Sequence, residues 1–111
     1  MTHQYKLLIN GELTPGASQF DVVNPATGEA FAKCPKADAD QLEAAVKAAK
    51  TAFKSWSARP VDERAAMVDK LADALHARGD EFARLLTTEQ GKPLDQAMYE
   101  IMGAVFTLKA F

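Results

Sequence analysis

The seven residues "TTEQGKP", 87 to 93, decide how the second half of the chain is read. Gly91-Lys92 invites a nucleotide interpretation, because phosphate-binding loops end in Gly-Lys. Such a loop needs a glycine five residues before that Gly, so that backbone N–H groups wrap the phosphates, and a Ser or Thr after the Lys to hold magnesium. Leu86 and Pro93 occupy those two positions. The phosphate-loop interpretation fails on both. What remains is punctuation: Gly91 ends one helix and Pro93 opens the next.

Working outward from that break, apolar periodicity predicts four helices over about 38–111. Asp38 and Gln41 have capping-box spacing, and Leu42, Val46, Ala49, Phe53 and Trp56 follow as a stripe at steps of four and three. Phe53 and Trp56 are expected in the core. A second helix opens at Pro60, buries Met67, Val68, Leu71 and Leu75, and stops at Gly79. Asp80 caps a third helix carrying Phe82, Leu85 and Leu86. The fourth runs from Pro93 through Leu94, Ala97, Met98, Ile101, Met102, Val105 and Phe106.

Upstream the pattern changes. "YKLLI" (5–9), "FDVV" (20–23) and "EAFAKC" (29–34) are short strand-like runs separated by Asn10-Gly11, Pro15-Gly16 and "NPATG" at 24–28. Asn-Gly favours the positive backbone angles of tight hairpins, so a small antiparallel ribbon is expected over about 5–34. An isolated ribbon is marginal and needs something larger to pack on.

Composition narrows the function. With 111 residues, 48% hydrophobic and 25% charged, the chain is sized for one modest globular domain. A net charge of −2 with no basic segment removes the footprint of a nucleic-acid binder. No run of ~18 apolar residues predicts a membrane span, and the N-terminus lacks a secretory core, so a cytoplasmic location is expected. The single cysteine excludes an internal disulfide and a cysteine-rich zinc site.

No local motif makes an enzyme. There is no pair of glycines one residue apart to begin a dinucleotide fingerprint. Cys34 precedes Pro35 at a strand end, and the only histidines are His3 and His76, so it reads as a half-buried apolar residue and not as a nucleophile. His3 is expected in a tail, and His76 beside a helix C-terminus, where the dipole suits it. Glu43–Lys47 is an i,i+4 pair on a solvated face. Arg59 and Arg64 flank the start of the second helix, and Arg64 is expected to hold a neighbouring carboxylate or helix end, the alternative being a ligand anion. The terminal "IMGAVFTLKAF" carries an apolar run with no stop signal, as in a cut chain or one whose last helix a partner covers.

Taken in order, Ile9-Asn10-Gly11-Glu12, Val23-Asn24-Pro25-Ala26-Thr27-Gly28-Glu29, the alanine-rich helix ending in Phe53 and Trp56, Glu63-Arg64 and Glu89-Gln90-Gly91-Lys92-Pro93 form a specific set. From about Tyr5 to Phe111 the chain resembles the N-terminal part of the aldehyde dehydrogenase superfamily. That resemblance implies an incomplete α/β fold: an antiparallel ribbon followed by about four helices, forming residues 1–111 of one cofactor-binding domain. It implies a parent enzyme that oxidises aldehydes with NAD or NADP through a cysteine thiolate, hydride transfer and thioester hydrolysis. Family members are homo-oligomers, and their catalytic and cofactor-binding residues lie downstream of the matched region. No residue here inherits those roles, and the chain alone is expected to bind no nicotinamide and to be inactive.

One site is implied residue by residue. Many members hold a monovalent cation, Na+ or K+, near the Asn-Pro turn, and the corresponding positions are the carbonyls of Val22 and Val23 and the carboxylate of Glu89. A hard cation suits such oxygen ligands. Glu stands where several relatives have Asp. The alternative is that Glu89 accepts backbone N–H bonds from the turn and pins ribbon to helices. The family's fourth helix runs beside the aldehyde tunnel. A reading from another class is a stand-alone module that dimerises or binds a partner through that fourth helix.

Overall fold

The computed structural model describes residues 4–110. The element order is β1 (Leu7–Ile9), β2 (Glu12–Thr14), β3 (Ser18–Val23), β4 (Ala30–Lys36), α1 (Ala39–Ser57), α2 (Val61–Ala77), α3 (Gly79–Gln90) and α4 (Leu94–Ala110). They form two units, one of residues 1–23 and 28–58 and one of residues 24–27 and 59–111. The first helix thus groups with the strands and not with the other three helices. The expected ribbon and four helices are present. His3, placed in a tail from sequence, lies outside the described residues.

In the first unit the strands form two separate antiparallel pairs, β1–β2 and β3–β4. The register Ile9↔Glu12 leaves Asn10-Gly11 as a two-residue loop. Asn10 and Gly11 have φ of 53° and 79°. Those positive angles match the twist of a tight hairpin, and Asn followed by Gly tolerates them best. This makes "ELT" a strand of its own, which the alternation of so short a run does not betray. The longer pair runs from Ser18↔Lys36 to Val23↔Ala30, with a slip between Val22 and Val23.

Helix α1 begins as its spacing predicts. The Asp38 carboxylate accepts from the Gln41 backbone N–H at 2.8 Å, and the Gln41 side chain accepts from the Asp38 N–H at 3.3 Å. Gln41 also reaches 26 residues back. Its amide donates to the Pro15 carbonyl at 2.9 Å, and its oxygen accepts from the Ala17 N–H at 3.0 Å. One side chain therefore caps the helix and ties it to the segment before β3.

The expected core stripe of α1 is the first correction. Leu42, Val46 and Phe53 are 62%, 58% and 64% exposed, and Trp56 is exposed as well. The half-buried side of the helix carries Gln41, Ala45 and Ala48. The helix meets its own unit through small residues and the Gln41 tie, so its large apolar side chains face outward.

The second unit packs α2 and α3 against α4. Its fully buried side chains are small: Ala72, Ala83, Ala97 and the nearly buried Val105. Alanine at these positions lets helix backbones approach closely, at the cost of little apolar area per residue. On α2 the half-buried positions are Arg64, Ala65, Val68 and Leu75 around Ala72, while Met67 and Leu71, expected inside, are exposed. Phe106 on α4 is likewise exposed, whereas Met98, Ile101 and Met102 are half-buried. A stripe one step round the helix wins because the alanines, not the larger side chains, define the contact.

Gly79 is the second correction. It does not end α2; it is the buried first residue of α3. A Cβ there would lie 3.0 Å from Met102 Cε, so glycine makes room for α4. The break falls at Arg78, whose N–H returns to Leu75 O and His76 O. Asp80 makes no cap bond; it pairs with Arg84 at 2.9 Å. Arg78 holds Glu81 through two hydrogen bonds, of 2.9 and 2.6 Å, and lies 5.2 Å over the Phe82 ring. Asp73 on α2 bonds Lys109 on α4 at 2.6 Å and, through that bond and its charge, holds the ammonium above the usual lysine range. These pairs are solvent-exposed and orient more than they stabilise.

Because Gln41 serves both the cap and the long-range tie, Gln41→Ala should lower the stability of this chain by roughly 1–2 kcal/mol in urea titration. An unchanged midpoint would show that the tie contributes nothing.

Candidate functional site

The stretch that set the chain's punctuation is also where the site is built. At the end of α3, Gly91 adopts φ 76°, and its N–H bonds the Thr87 carbonyl at 2.9 Å. This left-handed cap suits glycine because a side chain there would crowd its own backbone. A Cβ on Gly91 would also stand 3.1 Å from Pro25 Cγ. The Asn-Pro turn therefore seats its proline ring on the helix stop. Pro93 then begins the next helix, its carbonyl accepting from Ala97 N–H at 2.9 Å. Lys92, the residue a phosphate loop would use, forms an ion pair with Glu100 in the second turn of α4.

The turn itself is closed internally. Asn24 Oδ1 accepts from the Ala26 N–H at 2.9 Å, and Asn24 O accepts from the Thr27 N–H at 3.2 Å. Asn24 suits the position because its side chain mimics a backbone acceptor two residues on. Pro25 has no N–H. The alternative role for Glu89, as acceptor for this turn, thus loses the Ala26 and Thr27 donors, which Asn24 has already engaged.

The three positions implied as cation ligands sit as follows. Val22 and Val23 end β3 in the first unit, at the slip in the β3–β4 ladder. Glu89 is exposed in the last turn of α3 in the second unit. Among the described residues no group of three or more His, Cys, Asp or Glu side chains is placed to hold a metal. A site built from carbonyls and one carboxylate is of a different kind.

The remaining candidates sit on β4 and in or beside α2. Cys34 is half-buried on β4, its thiol 3.8 Å from the Pro35 carbonyl. His76 is exposed at the end of α2. Arg59 pairs with Glu63 at 3.4 Å. Arg64 departs from expectation: its Nε is buried with no hydrogen-bond partner among the described residues. Thr87 Oγ1, inside the opening stretch, is in the same state. No sequence signal marks either orphan, since an Arg or Thr on a helix reads as solvated. Two open concavities lie on the first unit, of about 520 and 570 Å3. One is lined by Gln19, Asp21, Phe31 and Lys33, the other by Glu12, Asp38, Asp40 and Gln41, and neither gathers a nucleophile with a base.

Known proteins place this geometry. The model of the aldehyde dehydrogenase family matches residues 13–111. The (Z)-2-((N-methylformamido)methylene)-5-hydroxybutyrolactone dehydrogenase of Acinetobacter baylyi is 43% identical over 100 residues, 88% of this chain and 20% of that protein. The human 2-aminomuconic semialdehyde dehydrogenase is 42% identical over 86 residues, 78% of this chain and 18% of that protein. The crystal structure of an NAD-dependent aldehyde dehydrogenase from Sinorhizobium meliloti superposes on 99% of this chain with a TM-score of 0.93 and 33% identity. The NADP-dependent glyceraldehyde-3-phosphate dehydrogenase of Bacillus halodurans, complexed with NADP, gives 0.94 over 98% at 26% identity. This chain covers 23% of each of those two structures.

The seat of Pro25 on Gly91 has a measurable consequence. Gly91→Ala should cost about 1–2 kcal/mol, from the left-handed backbone and the contact with the proline ring. In a Pro25→Ala background the same substitution should cost less, because only the backbone part remains. Equal costs in both backgrounds would show that the contact is not felt.

Proposed function

The chain belongs to the aldehyde dehydrogenase family, and from that premise we propose that it serves as the N-terminal segment of the cofactor-binding domain of an NAD(P)-dependent enzyme oxidising an aldehyde to a carboxylic acid. The observation that carries this is the superposition on the Sinorhizobium meliloti enzyme, which takes in 99% of this chain and 23% of that one. Both units, ribbon with α1 and three-helix group, are parts of that one segment. The chain spans about a fifth of the length of the curated relatives it matches.

The role of the segment is structural. Its residues set the helix stop at Gly91 and the turn at Asn24-Pro25, and they supply no nucleophile, general base or nicotinamide contact. Those come from the remaining four fifths of such an enzyme. Relatives described as NAD-dependent and NADP-dependent both superpose, so either nucleotide suits the parent. The parent is a cytoplasmic homo-oligomer. No described helix is long and apolar enough to cross a membrane.

A monovalent cation belongs to the same proposal, held by the carbonyls of Val22 and Val23 and the carboxylate of Glu89. Support comes from the slip in the ladder between Val22 and Val23, since a bulge leaves backbone groups unclaimed by the partner strand. It comes also from the turn, whose Ala26 and Thr27 N–H groups are already bonded and do not compete for Glu89. Na+ or K+ would organise the strand end; it takes part in no chemical step.

A chimera tests the assignment. This chain, substituted for the matching first part of the Sinorhizobium meliloti enzyme, should support NAD-dependent aldehyde oxidation, while the 111-residue chain alone should give none. NADH formation by the chain alone, or a soluble but inactive chimera, would overturn it. In the active chimera, replacing K+ and Na+ by choline should lower the unfolding midpoint by roughly 3 °C. Glu89→Gln should abolish that difference. Equal midpoints in all three salts would remove the cation.

A further inference from the structure

The chain has two asparagines, Asn10 and Asn24, and their neighbours give them different chemistry. Asn24 is followed by Pro25, whose nitrogen carries no hydrogen and cannot attack the Asn24 side chain. Asn24 Oδ1 is also engaged, accepting from the Ala26 N–H at 2.9 Å. Asn10 is followed by Gly11, whose N–H can lose its proton and which has no side chain to obstruct an approach. Both Asn10 and Gly11 are exposed. Its chain neighbours aside, no described atom lies within 4 Å of where a Cβ on Gly11 would stand. The other amide side chain before a glycine is Gln90, but the Gly91 N–H is held by the Thr87 carbonyl at 2.9 Å.

What restrains Asn10 is the hairpin it belongs to. Closing a five-membered ring between the Gly11 nitrogen and Asn10 Cγ requires the peptide between the two residues to rotate. Their positive φ angles, 53° and 79°, and the Ile9↔Glu12 pairing fix that peptide. Only three residue pairs join β1 to β2, and so short a ribbon opens at small cost.

We propose that Asn10 is a site of spontaneous deamidation, gated by opening of the β1–β2 hairpin. In the open form the Gly11 nitrogen gives its proton to solvent base and bonds to Asn10 Cγ. The side-chain Cγ–N bond breaks, and ammonia leaves. Water then adds to one or other carbonyl of the succinimide, giving aspartate or isoaspartate at position 10. The steps are hydrolytic and need no oxidant or reductant. Isoaspartate adds a methylene to the main chain, which disturbs a tight two-residue loop. Either product also adds a carboxylate to a concavity that Glu12, Asp38 and Asp40 already line. The modified hairpin therefore closes less well than the original. All of this lies within the first unit and is independent of the dehydrogenase assignment.

Peptide mapping by mass spectrometry tests it, on the 111-residue chain held at mildly alkaline pH with and without unfolding concentrations of urea. Asn10 should convert about tenfold or more faster than Asn24, with a gain of roughly 1 Da and an isoaspartate fraction among the products. Urea should raise the Asn10 rate about tenfold or more, because the opened form is then the whole population. An Asn10 as inert as Asn24 in both solutions would overturn the site. Conversion no faster in urea than in buffer would overturn the gating by the hairpin.

Discussion

The limiting constraint on this chain is how little large apolar surface it buries by itself. Among the described residues no large side chain is fully buried, and the core residues are Ala72, Ala83, Ala97 and Val105. Alanine contacts set helix spacing well but contribute little transfer free energy each. The chain's caps, turns and ties are well formed, while its large apolar side chains are left for a further surface.

This explains which features matter locally. Where apolar burial is scarce, short polar devices hold the geometry: Gln41 bridging the α1 cap to Pro15 and Ala17, Asn24 closing its own turn, and Gly91 receiving the ring of Pro25. Each fixes a direction of the chain at a junction between elements. The family assignment and the weakness of the core express the same fact.

Much of this was legible in the residues. Asn10-Gly11, the Asp38–Gln41 spacing and Gly91 followed by Pro93 state their local geometry directly, because each is a short-range rule about allowed backbone angles or unpaired N–H groups. The inward faces were not legible. Periodicity along α1 and α2 finds an apolar stripe but does not say whether this chain or another protein covers it, so Phe53, Trp56, Met67 and Leu71 were assigned inward and lie outward. Gly79 misled for a related reason. A glycine between two helices reads as a stop, yet Gly79 is buried at the start of α3, where a Cβ would stand 3.0 Å from Met102 Cε, 23 residues away. The Val22, Val23 and Glu89 positions came from family resemblance alone, since backbone carbonyls leave no mark in a sequence.

The claim beneath all of this is that the α1 seam of Leu42, Val46, Ala49, Phe53 and Trp56 is not part of this chain's own core. Trp56, the single tryptophan, stands at the end of that seam and reports on it directly. In dilute solution its fluorescence should be readily quenched by acrylamide. A Trp56 already shielded from acrylamide in the dilute monomer would contradict the account.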